Sequence, residues 1–484
     1  MPQLHDLTAL EQAAAIRRGE VSPVELTEHY LRRIEAASDR VGAFVTVTAD
    51  TALAQAASTQ AGSFRAMSSR AMSSPAMSSP ALPDGPLQGL PIAIKDLNNT
   101  AGVRTTFGSA VYADNVPPAD DHVVTRLRAA GTISLGKTNA PEFGLPCYTE
   151  PDVAPPARTP WDLDRSAGGS SGGAAAAVAA GLVPFAQGSD GGGSIRIPSS
   201  VCGLFGLKPS RGRVSSGPIG GDVTGLSGNG PIARSVADAA ALLDAMAGPM
   251  PGDPHWAPPP AHTFLAAASR APGRLSIGRW AEPPVPGASL HPDCRAAWES
   301  ASDLLSSLGH EVTDIPPPFG PELIELFEVV WSVSATGVPV DPAREGELRP
   351  LTRWLRERGR GYSAPAFMAA LIGLQQVARA AVTATEAYDA VLVPTLAQPP
   401  APVGGLRNDA DPAADFEAQK RFTPYTAVYN MTGQPAVTVP LCWVEGLPIG
   451  VMLAGRPADE ATLLSLSAQL EAARPWRDRH PDLW

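Results

Sequence analysis

Two glycine-rich segments that each contain serine flank an alanine-rich stretch between residues 168 and 196. The first reads Gly-Gly-Ser-Ser-Gly-Gly over 168–173, and the second reads Asp-Gly-Gly-Gly-Ser-Ile-Arg over 190–196. The alanines between them predict a helix over 172–181, followed by a strand over 182–186. Because glycine has no side chain, the backbone can pack closely around each serine. The pattern therefore favours an α/β core that holds two closely packed serines.

A lysine follows an apolar segment upstream of both serines. Residues 91–94 read Pro-Ile-Ala-Ile and predict a strand, and Lys95 comes next. Only four of the 37 basic residues are lysines, so a lysine in an apolar strand is less expected by chance. Burial among apolar groups lowers the pKa of a lysine, and a neutral lysine can act as a base. Asp96 alternates to the other face of the strand and need not pair with Lys95.

A serine hydroxyl that attacks an amide carbonyl needs a base and hydrogen-bond donors for the oxyanion. None of the eight histidines accompanies a Gly-x-Ser-x-Gly turn, and no His or Cys spacing proposes a metal. Lys95 can replace histidine as the base. Backbone N–H groups in a triple glycine can converge on one oxyanion, and the candidates are Gly191, Gly192 and Gly193. The combination predicts an acyl-transfer hydrolase.

Each part of this pattern also has a structural explanation. A Gly/Ser run can be a flexible linker, and a triple glycine before serine can be a turn or a phosphate cradle. A lone lysine in a strand is commonly an edge or snorkelling residue. The Walker pattern is absent, however, and no lysine follows Ser194. It is the joint occurrence of the three features that favours catalysis.

Short apolar runs alternate with helical stretches along most of the chain. This alternation predicts an α/β fold with a mixed or largely parallel sheet. Two amphipathic helices are predicted within residues 7–37. Further strands are predicted at 90–94, 132–135, 390–393, 435–440 and 448–453, and further helices at 121–130, 291–308, 322–334, 364–387 and 459–473. We interpret residues 1–484 as a single domain.

Residues 65–81 depart from this alternation. They repeat Arg-Ala-Met-Ser-Ser and then Pro-Ala-Met-Ser-Ser, which is too short and polar for a repeat fold. Composition favours a solvated, flexible insertion over a segment that contacts substrate.

Residues 247–388 form a second, more variable region that we expect on the substrate side. Pro- and Gly-rich stretches at 247–260 and 282–288 mark its first part, without a convincing domain break. The helix predicted over 322–333 carries a bulky apolar face, made of Leu323, Phe327, Val330 and Trp331. Core packing is the preferred interpretation of this face, and pocket lining is the alternative.

These residues together resemble the amidase signature family. The similarity lies in ordered motifs at 91–96, 136–139, 168–173, 188–198, 203–209, 212–215, 430–436 and 446–450. It is dense over 90–245 and returns over 389–476. The resemblance implies an α/β/α fold around a mixed central sheet flanked by helices, and hydrolysis of amides through an acyl-enzyme.

Carried over by position, the resemblance implies a Ser–cis-Ser–Lys triad. Ser194 would be the nucleophile, Ser170 the bridging serine beside a cis peptide, and Lys95 the ultimate base. The N–H groups of the triple glycine and of Ser194 would bind the oxyanion. Three further residues would support the site: Ser171, Asp190 and Arg196. The resemblance implies no metal and no other cofactor.

Two departures from the family pattern bear on the substrate. Many members have threonine where this chain has Gly191, and the tract 142–151 differs from the form typical of the family members in tRNA-dependent amidotransferases. Both look closer to the branch of nylon-oligomer cyclic-dimer hydrolases and urethane-cleaving amidases. A glycine at 191 leaves space beside the nucleophile, so we expect bulky apolar or aromatic amides and anilides, with carbamates and esters as further substrates.

Two other functions stay open at this point. The chain could be the glutamine amidohydrolase component of a tRNA-dependent amidotransferase, which would deliver ammonia within a complex. It could also be a non-catalytic binding protein on the same fold.

Charge and cysteine usage bear on partners and compartment. A net charge of −11 disfavours nucleic-acid and anionic-membrane partners. The sequence has no run of 18 apolar residues and no signal-peptide pattern, and its four cysteines are scattered. We expect a cytoplasmic monomer or homodimer whose partner is a small-molecule amide or carbamate.

Overall fold

The computed structural model describes residues 3–71, 85–220 and 223–484. Within these residues, eleven strands form one sheet. In chain order they are β1 (Phe44–Val47), β2 (Pro91–Lys95), β3 (Ile133–Thr138), β4 (Phe185–Asp190), β5 (Phe205–Lys208), β6 (Gly228–Ala233), β7 (Ser276–Arg279), β8 (Glu311–Asp314), β9 (Ala390–Pro394), β10 (Ala436–Val444) and β11 (Leu447–Gly455).

The sheet is mixed, as predicted. Its spatial order is β1-β3-β2-β4-β6-β5-β10-β11-β9-β7-β8. Strand β2 is parallel to both β3 and β4, and β7 is parallel to both β8 and β9. The remaining neighbours pair antiparallel. Lys95 and Asp190 therefore end two adjacent parallel strands, and their side chains lie at the same edge of the sheet.

Helices pack on this sheet and complete the α/β architecture. In chain order the described α-helices are α1 (Ala9–Arg18), α2 (Pro23–Val41), α3 (Ala49–Ala71), α4 (His122–Ala129), α5 (Gly172–Ala179), α6 (Arg196–Cys202), α7 (Val236–Met246), α8 (Phe264–Ala268), α9 (Pro292–Ser307), α10 (Glu322–Ala335), α11 (Pro350–Arg360), α12 (Ala364–Ala384), α13 (Pro412–Phe422), α14 (Val428–Met431) and α15 (Glu460–Ala473). Helix α5 is buried along its whole length, which its small alanine side chains permit.

The strand after α5 begins later and runs further than predicted. Sequence analysis placed it over 182–186, but β4 spans Phe185–Asp190. Its second half is polar, so hydrophobicity does not reveal it. The whole strand pairs with β6, from Phe185 opposite Ala233 to Asp190 opposite Gly228. The extension carries the backbone directly into the triple glycine.

The methionine–serine repeat lies largely outside the described residues. Helix α3 extends to Ala71, so the start of the predicted insertion continues a helix. Residues 72–84 are not among those described.

Helices α10 to α13 form a layer next to the site. Helix α10 packs against α11 and α12, and α11 packs against α13. By length and composition α12 is the one described helix that could cross a membrane, with a window hydropathy of 1.3. Its Met368 and Ile372 side chains are half exposed. A single apolar helix is weak evidence for membrane insertion, and the absence of a membrane partner stays a prediction.

Candidate active site

Lys95 is the last residue of β2, and its side chain is fully buried. Its Nζ donates a hydrogen bond to Oγ of Ser170 at 2.8 Å. Nζ also contacts the carbonyl oxygen of Ser189 at 3.1 Å and its Oγ at 3.0 Å. The amine is thus held against a hydroxyl at the carboxyl end of the strand.

Burial lowers the pKa of Lys95 to about 7, although the negative charge of Asp190 acts to raise it. The ordinary pKa of lysine is about 10.4, so at neutral pH a large fraction of Lys95 is the free amine. A free amine can accept a proton from a neighbouring hydroxyl, whereas an ammonium group cannot. The lysine therefore has the charge state that a base needs.

Two other lysines share this environment but not this contact. Burial also lowers the pKa of Lys137 to about 8 and that of Lys208 to about 7. Lys137 bonds to the carbonyl of Asn98 and to two threonine hydroxyls, and Lys208 donates to the carbonyl of Pro209. Only Lys95 of these three is bonded to a serine of the glycine-rich segments.

Ser170 and Ser171 lie directly before α5, at the end of the long segment that connects it to β3. The peptide bond from Gly169 to Ser170 is cis. A Cβ on Gly169 would lie 2.8 Å from the backbone nitrogen of Tyr148, so a larger residue does not fit there. The N–H of Ser171 donates to the carbonyl of Ser194 at 3.0 Å. The two serine segments are therefore in direct contact through their backbones.

Ser171 also ties this loop to β4. Its Oγ donates to the carbonyl of Ser189 at 3.1 Å, and the N–H of Ser189 contacts the same Oγ at 3.3 Å. Ser171 thus supports the site through the residue that also contacts Lys95. The supporting role of Ser171 stays a prediction.

Asp190 and Arg196 form a buried ion pair beneath the loop. Nε and Nη2 of Arg196 each lie 2.9 Å from a different carboxylate oxygen of Asp190. Asn430 donates to the same carboxylate at 2.9 Å and accepts from Arg196 at 2.7 Å. Burial raises the pKa of Asp190, but the charge and hydrogen bonds of Arg196 outweigh it and hold that pKa well below its usual range. Neither residue faces the cavity, so both act by fixing the loop.

The N–H of Gly193 is not an oxyanion donor, which corrects the prediction for this residue. It donates to Oδ1 of Asp190 at 2.7 Å. The hydroxyl of Thr426 donates to the carbonyl oxygen of Gly192 at 2.6 Å. These two bonds hold the same peptide plane from opposite sides, so the loop is rigid at this position.

The other backbone donors of the loop remain free. Within the part of the chain that the structure describes, no hydrogen bond engages the N–H groups of Gly191, Gly192 or Ser194. These three groups are the candidates for binding an oxyanion next to the Ser194 hydroxyl.

A largely apolar cleft opens at Ser194. It encloses about 800 Å³, part of it open to solvent, and Gly192 and Ser194 lie in its wall. Loop residues 145–147, helix α10 and helix α13 supply half of the other lining residues. The Ser194 side chain is 8% exposed, so a ligand in the cleft can reach it. The lining residues of the described chain include no histidine that could replace Lys95 as base.

The apolar face of α10 divides between core and cleft. Leu323 and Val330 are buried in one side cluster, against which Phe327 and Trp331 pack. Leu323, Phe327 and Trp331 also line the cleft. Pocket lining, the less favoured interpretation, therefore holds for three of the four residues. A Cβ on Gly191 would lie 3.6 Å from the Trp331 ring. The space beside Gly191 is thus bounded by Ser227 and the indole, and it is smaller than the open gap that was expected.

Sequence reasoning missed several residues that fix the site. Ser189 contacts Lys95, Thr426 pins the loop, and Asn430 bridges the buried ion pair. Asn430 lies in a motif that resembles the family, and that motif was the available signal. Ser189 lies in the similar motif at 188–198 and had the same kind of signal. Thr426 lies in none of these motifs, and its role depends on spatial proximity alone.

Known proteins match this chain over nearly its whole length. The family model described as Amidase matches residues 25–464. The 6-aminohexanoate-cyclic-dimer hydrolase of Paenarthrobacter ureafaciens is 35% identical over 98% of this chain and 96% of that protein. A component of the glutamyl-tRNA(Gln) amidotransferase of Roseiflexus sp. is 35% identical over 100% of this chain and 99% of its own length. A solved structure of a 6-aminohexanoate cyclic dimer hydrolase has a TM-score of 0.89, with 32% identity and full coverage of both chains.

The fold and these matches define a hydrolase with an α/β fold that acts on carbon–nitrogen bonds. The chain belongs to the amidase signature family, and it is an amidase.

Proposed function

We propose that Ser194 is the nucleophile of an acyl-enzyme mechanism in which Ser170 and Lys95 relay its proton. The Ser194 Oγ attacks the substrate carbonyl, and its proton passes to Ser170 while the proton of Ser170 passes to Nζ of Lys95. The free N–H groups of the loop bind the oxyanion. The proton then returns to the leaving nitrogen, and water hydrolyses the acyl-enzyme by the same route.

One observation carries this proposal. The buried, largely neutral amine of Lys95 is bonded at 2.8 Å to Ser170, whose neighbour Ser171 is bonded to Ser194. A base bonded to one serine hydroxyl, with a second serine held by the adjacent backbone at the wall of a ligand cleft, is an arrangement suited to nucleophilic catalysis.

We infer that the substrates are bulky apolar or aromatic amides and anilides, with carbamates and esters also accepted. The cleft at Ser194 opens to solvent and its walls are mainly apolar, which suits such molecules. The relative named as a cyclic-dimer hydrolase supports an amide with a long apolar chain. The four cysteines are free thiols, which supports the proposed cytoplasmic location.

Active-site labelling tests the mechanism. The purified chain is treated with a fluorophosphonate and digested, and mass spectrometry locates the adduct, which we expect on Ser194. Ser194→Ala should abolish both labelling and amide hydrolysis with unchanged circular dichroism. An adduct on another serine would overturn the assignment.

A release assay tests the reaction. It compares aromatic anilides, carbamates and esters with acetamide and malonamide. Small amides preferred by tenfold or more would contradict the proposed substrate class. The alternative, a component of an amidotransferase, rests on the relative of that name. Hydrolysis by the chain alone, without glutamine and partner proteins, separates the two.

A further inference from the structure

Two aromatic rings of α10 lie against the nucleophile loop. Phe327 and Trp331 are one helical turn apart, and their rings stack with centroids 5.2 Å apart and planes 21° apart. A Cβ built on Gly191 would lie 3.6 Å from the Trp331 ring, and one on Gly192 would lie 3.7 Å from the Phe327 ring. The rings therefore border the two glycines whose N–H groups are free.

The other aromatic residues of the cleft are placed differently. Phe319 meets Trp280 edge-on, with centroids 5.5 Å apart, and Phe416 packs against Trp354 at 5.8 Å. None of these rings is among the nearest neighbours of the glycine loop. The Phe327–Trp331 pair is thus the aromatic surface next to the position where a substrate carbonyl would bind.

We propose that Trp331, supported by Phe327, is a stacking platform for a flat ring of the substrate next to the scissile carbonyl. This inference rests on the proposed function. It adds that Trp331 favours substrates with a flat ring over substrates with a puckered ring. Gly191 permits the arrangement. Its Cβ would already lie 3.1 Å from Oγ of Ser227, so a larger side chain would press on both Ser227 and the indole.

Substrate pairs of equal carbon number test the platform. Phenylacetamide is compared with cyclohexylacetamide, and N-benzylacetamide with N-(cyclohexylmethyl)acetamide. Aromatic stacking contributes roughly a 3- to 10-fold preference beyond area. We expect kcat/KM to favour the flat member of at least one pair by that factor. Trp331→Leu should bring the ratio close to one while hydrolysis of the cyclohexyl member continues, and Trp331→Phe should retain part of it.

Trp256→Leu is the matched control, since Trp256 is exposed and does not line the cleft. It should leave both ratios unchanged. Ratios that do not respond to Trp331→Leu, or that respond equally to Trp256→Leu, would overturn the platform and leave the proposed function standing.

A wild-type protein that hydrolyses none of the four amides would count against the proposed function. Binding then tests the platform without turnover, by titrating N-benzylacetamide into Ser194→Ala with and without Trp331→Leu. Equal affinity in the two proteins would refute the platform, and a roughly 3- to 10-fold weaker affinity in the double variant would support it.

Discussion

At the scale of residues, three buried lysines show how one contact assigns a role. Lys95, Lys137 and Lys208 all lose the water that would stabilise an ammonium group, and burial lowers the pKa of each. Burial makes a base available at all three positions. Only at Lys95 does the amine meet the hydroxyl of Ser170. Geometry, rather than pKa, therefore distinguishes the candidate base.

The proposed role of Lys95 predicts the pH dependence of the enzyme. Only the neutral amine accepts a proton, so kcat/KM should rise with pH through an apparent pKa of about 7 and level off above it. Lys95→Met should reduce kcat by on the order of 10²–10⁴-fold. Stopped assays with an aromatic amide between about pH 5.5 and 9 measure both effects.

Lys208→Met is the control, because burial also lowers the pKa of Lys208 to about 7. The rise in kcat/KM around neutral pH should persist in this variant. Its loss would assign the titration to Lys208 and contradict the role of Lys95.

How far the residues of the site can be read from the sequence depends on whether they lie in a local pattern. Lys95, Ser170 and Ser194 stand out because glycine and apolar residues surround them. Thr426 reaches the loop from a distant part of the chain, through a hydrogen bond that no local pattern announces. The sequence predicts that the N–H of Gly193 binds the oxyanion. In the structure this N–H donates to Asp190, and the sequence alone cannot show that this carboxylate lies within reach.

At the scale of elements, the loop after β4 is fixed by three glycines with different surroundings. Gly193 has φ +131°, and a Cβ there would lie 2.3 Å from Oγ1 of Thr426. Gly191 has ordinary backbone angles, and its Cβ would lie no closer than 3.1 Å to another atom. The backbone conformation requires glycine at position 193. At position 191 only the neighbouring side chains of Ser227 and Trp331 limit the size of the residue.

This difference predicts unequal losses of stability for two alanine substitutions in one loop. Gly193→Ala should lower the free energy of unfolding by about 1–3 kcal/mol or more, because the methyl group overlaps Thr426 and the φ is unfavourable. Gly191→Ala should cost less than about 1 kcal/mol. Urea unfolding followed by circular dichroism measures both. Equal losses in the two variants would mean that the loop is not held as described.

Long helices and apolar strands were predicted within a few residues of their positions. Helix α9 was predicted over 291–308 and spans Pro292–Ser307. Strands with polar or short sequences were not found, because β6 reads Gly-Asn-Gly-Pro-Ile-Ala and β8 reads Glu-Val-Thr-Asp. Their place in the sheet comes from pairing with distant strands, which periodicity cannot report.

At the scale of the whole molecule, a histidine pair holds the amino-terminal segment on α2. Nδ1 of His5 lies 3.0 Å from Nε2 of His29, and their rings stack. Burial, followed by the charge of Arg33, lowers the pKa of each histidine to about 4. Arg234 also disfavours a charge on His5, whereas Asp6 favours one. Both rings are therefore neutral in the folded protein at physiological pH.

The pair predicts a loss of stability in mild acid. Between pH 6.5 and about 4 the unfolded chain binds protons that the folded histidines exclude, so the free energy of unfolding falls as pH decreases across this window. His29→Gln should make the fall from about pH 7 to about pH 5 smaller. The urea midpoint at the two pH values measures it.

The exposed His262 supplies the control for this experiment. His262→Gln should show the same fall as the wild type. A His29→Gln protein that loses as much stability as the wild type would rule out the pair as the acid-sensitive element.

The order of strands in the sheet has a consequence for how the ribosome delivers this chain. Strand β5 emerges early and pairs with β6 on one side, but its other partner, β10, begins at Ala436. Roughly 230 residues separate the end of β5 from that strand. At about 5–20 residues per second, the edge of β5 stays unpaired for about 10–45 s. During that interval the edge of β5 can pair with other nascent chains, so we expect the first half of this chain to aggregate more readily than the whole.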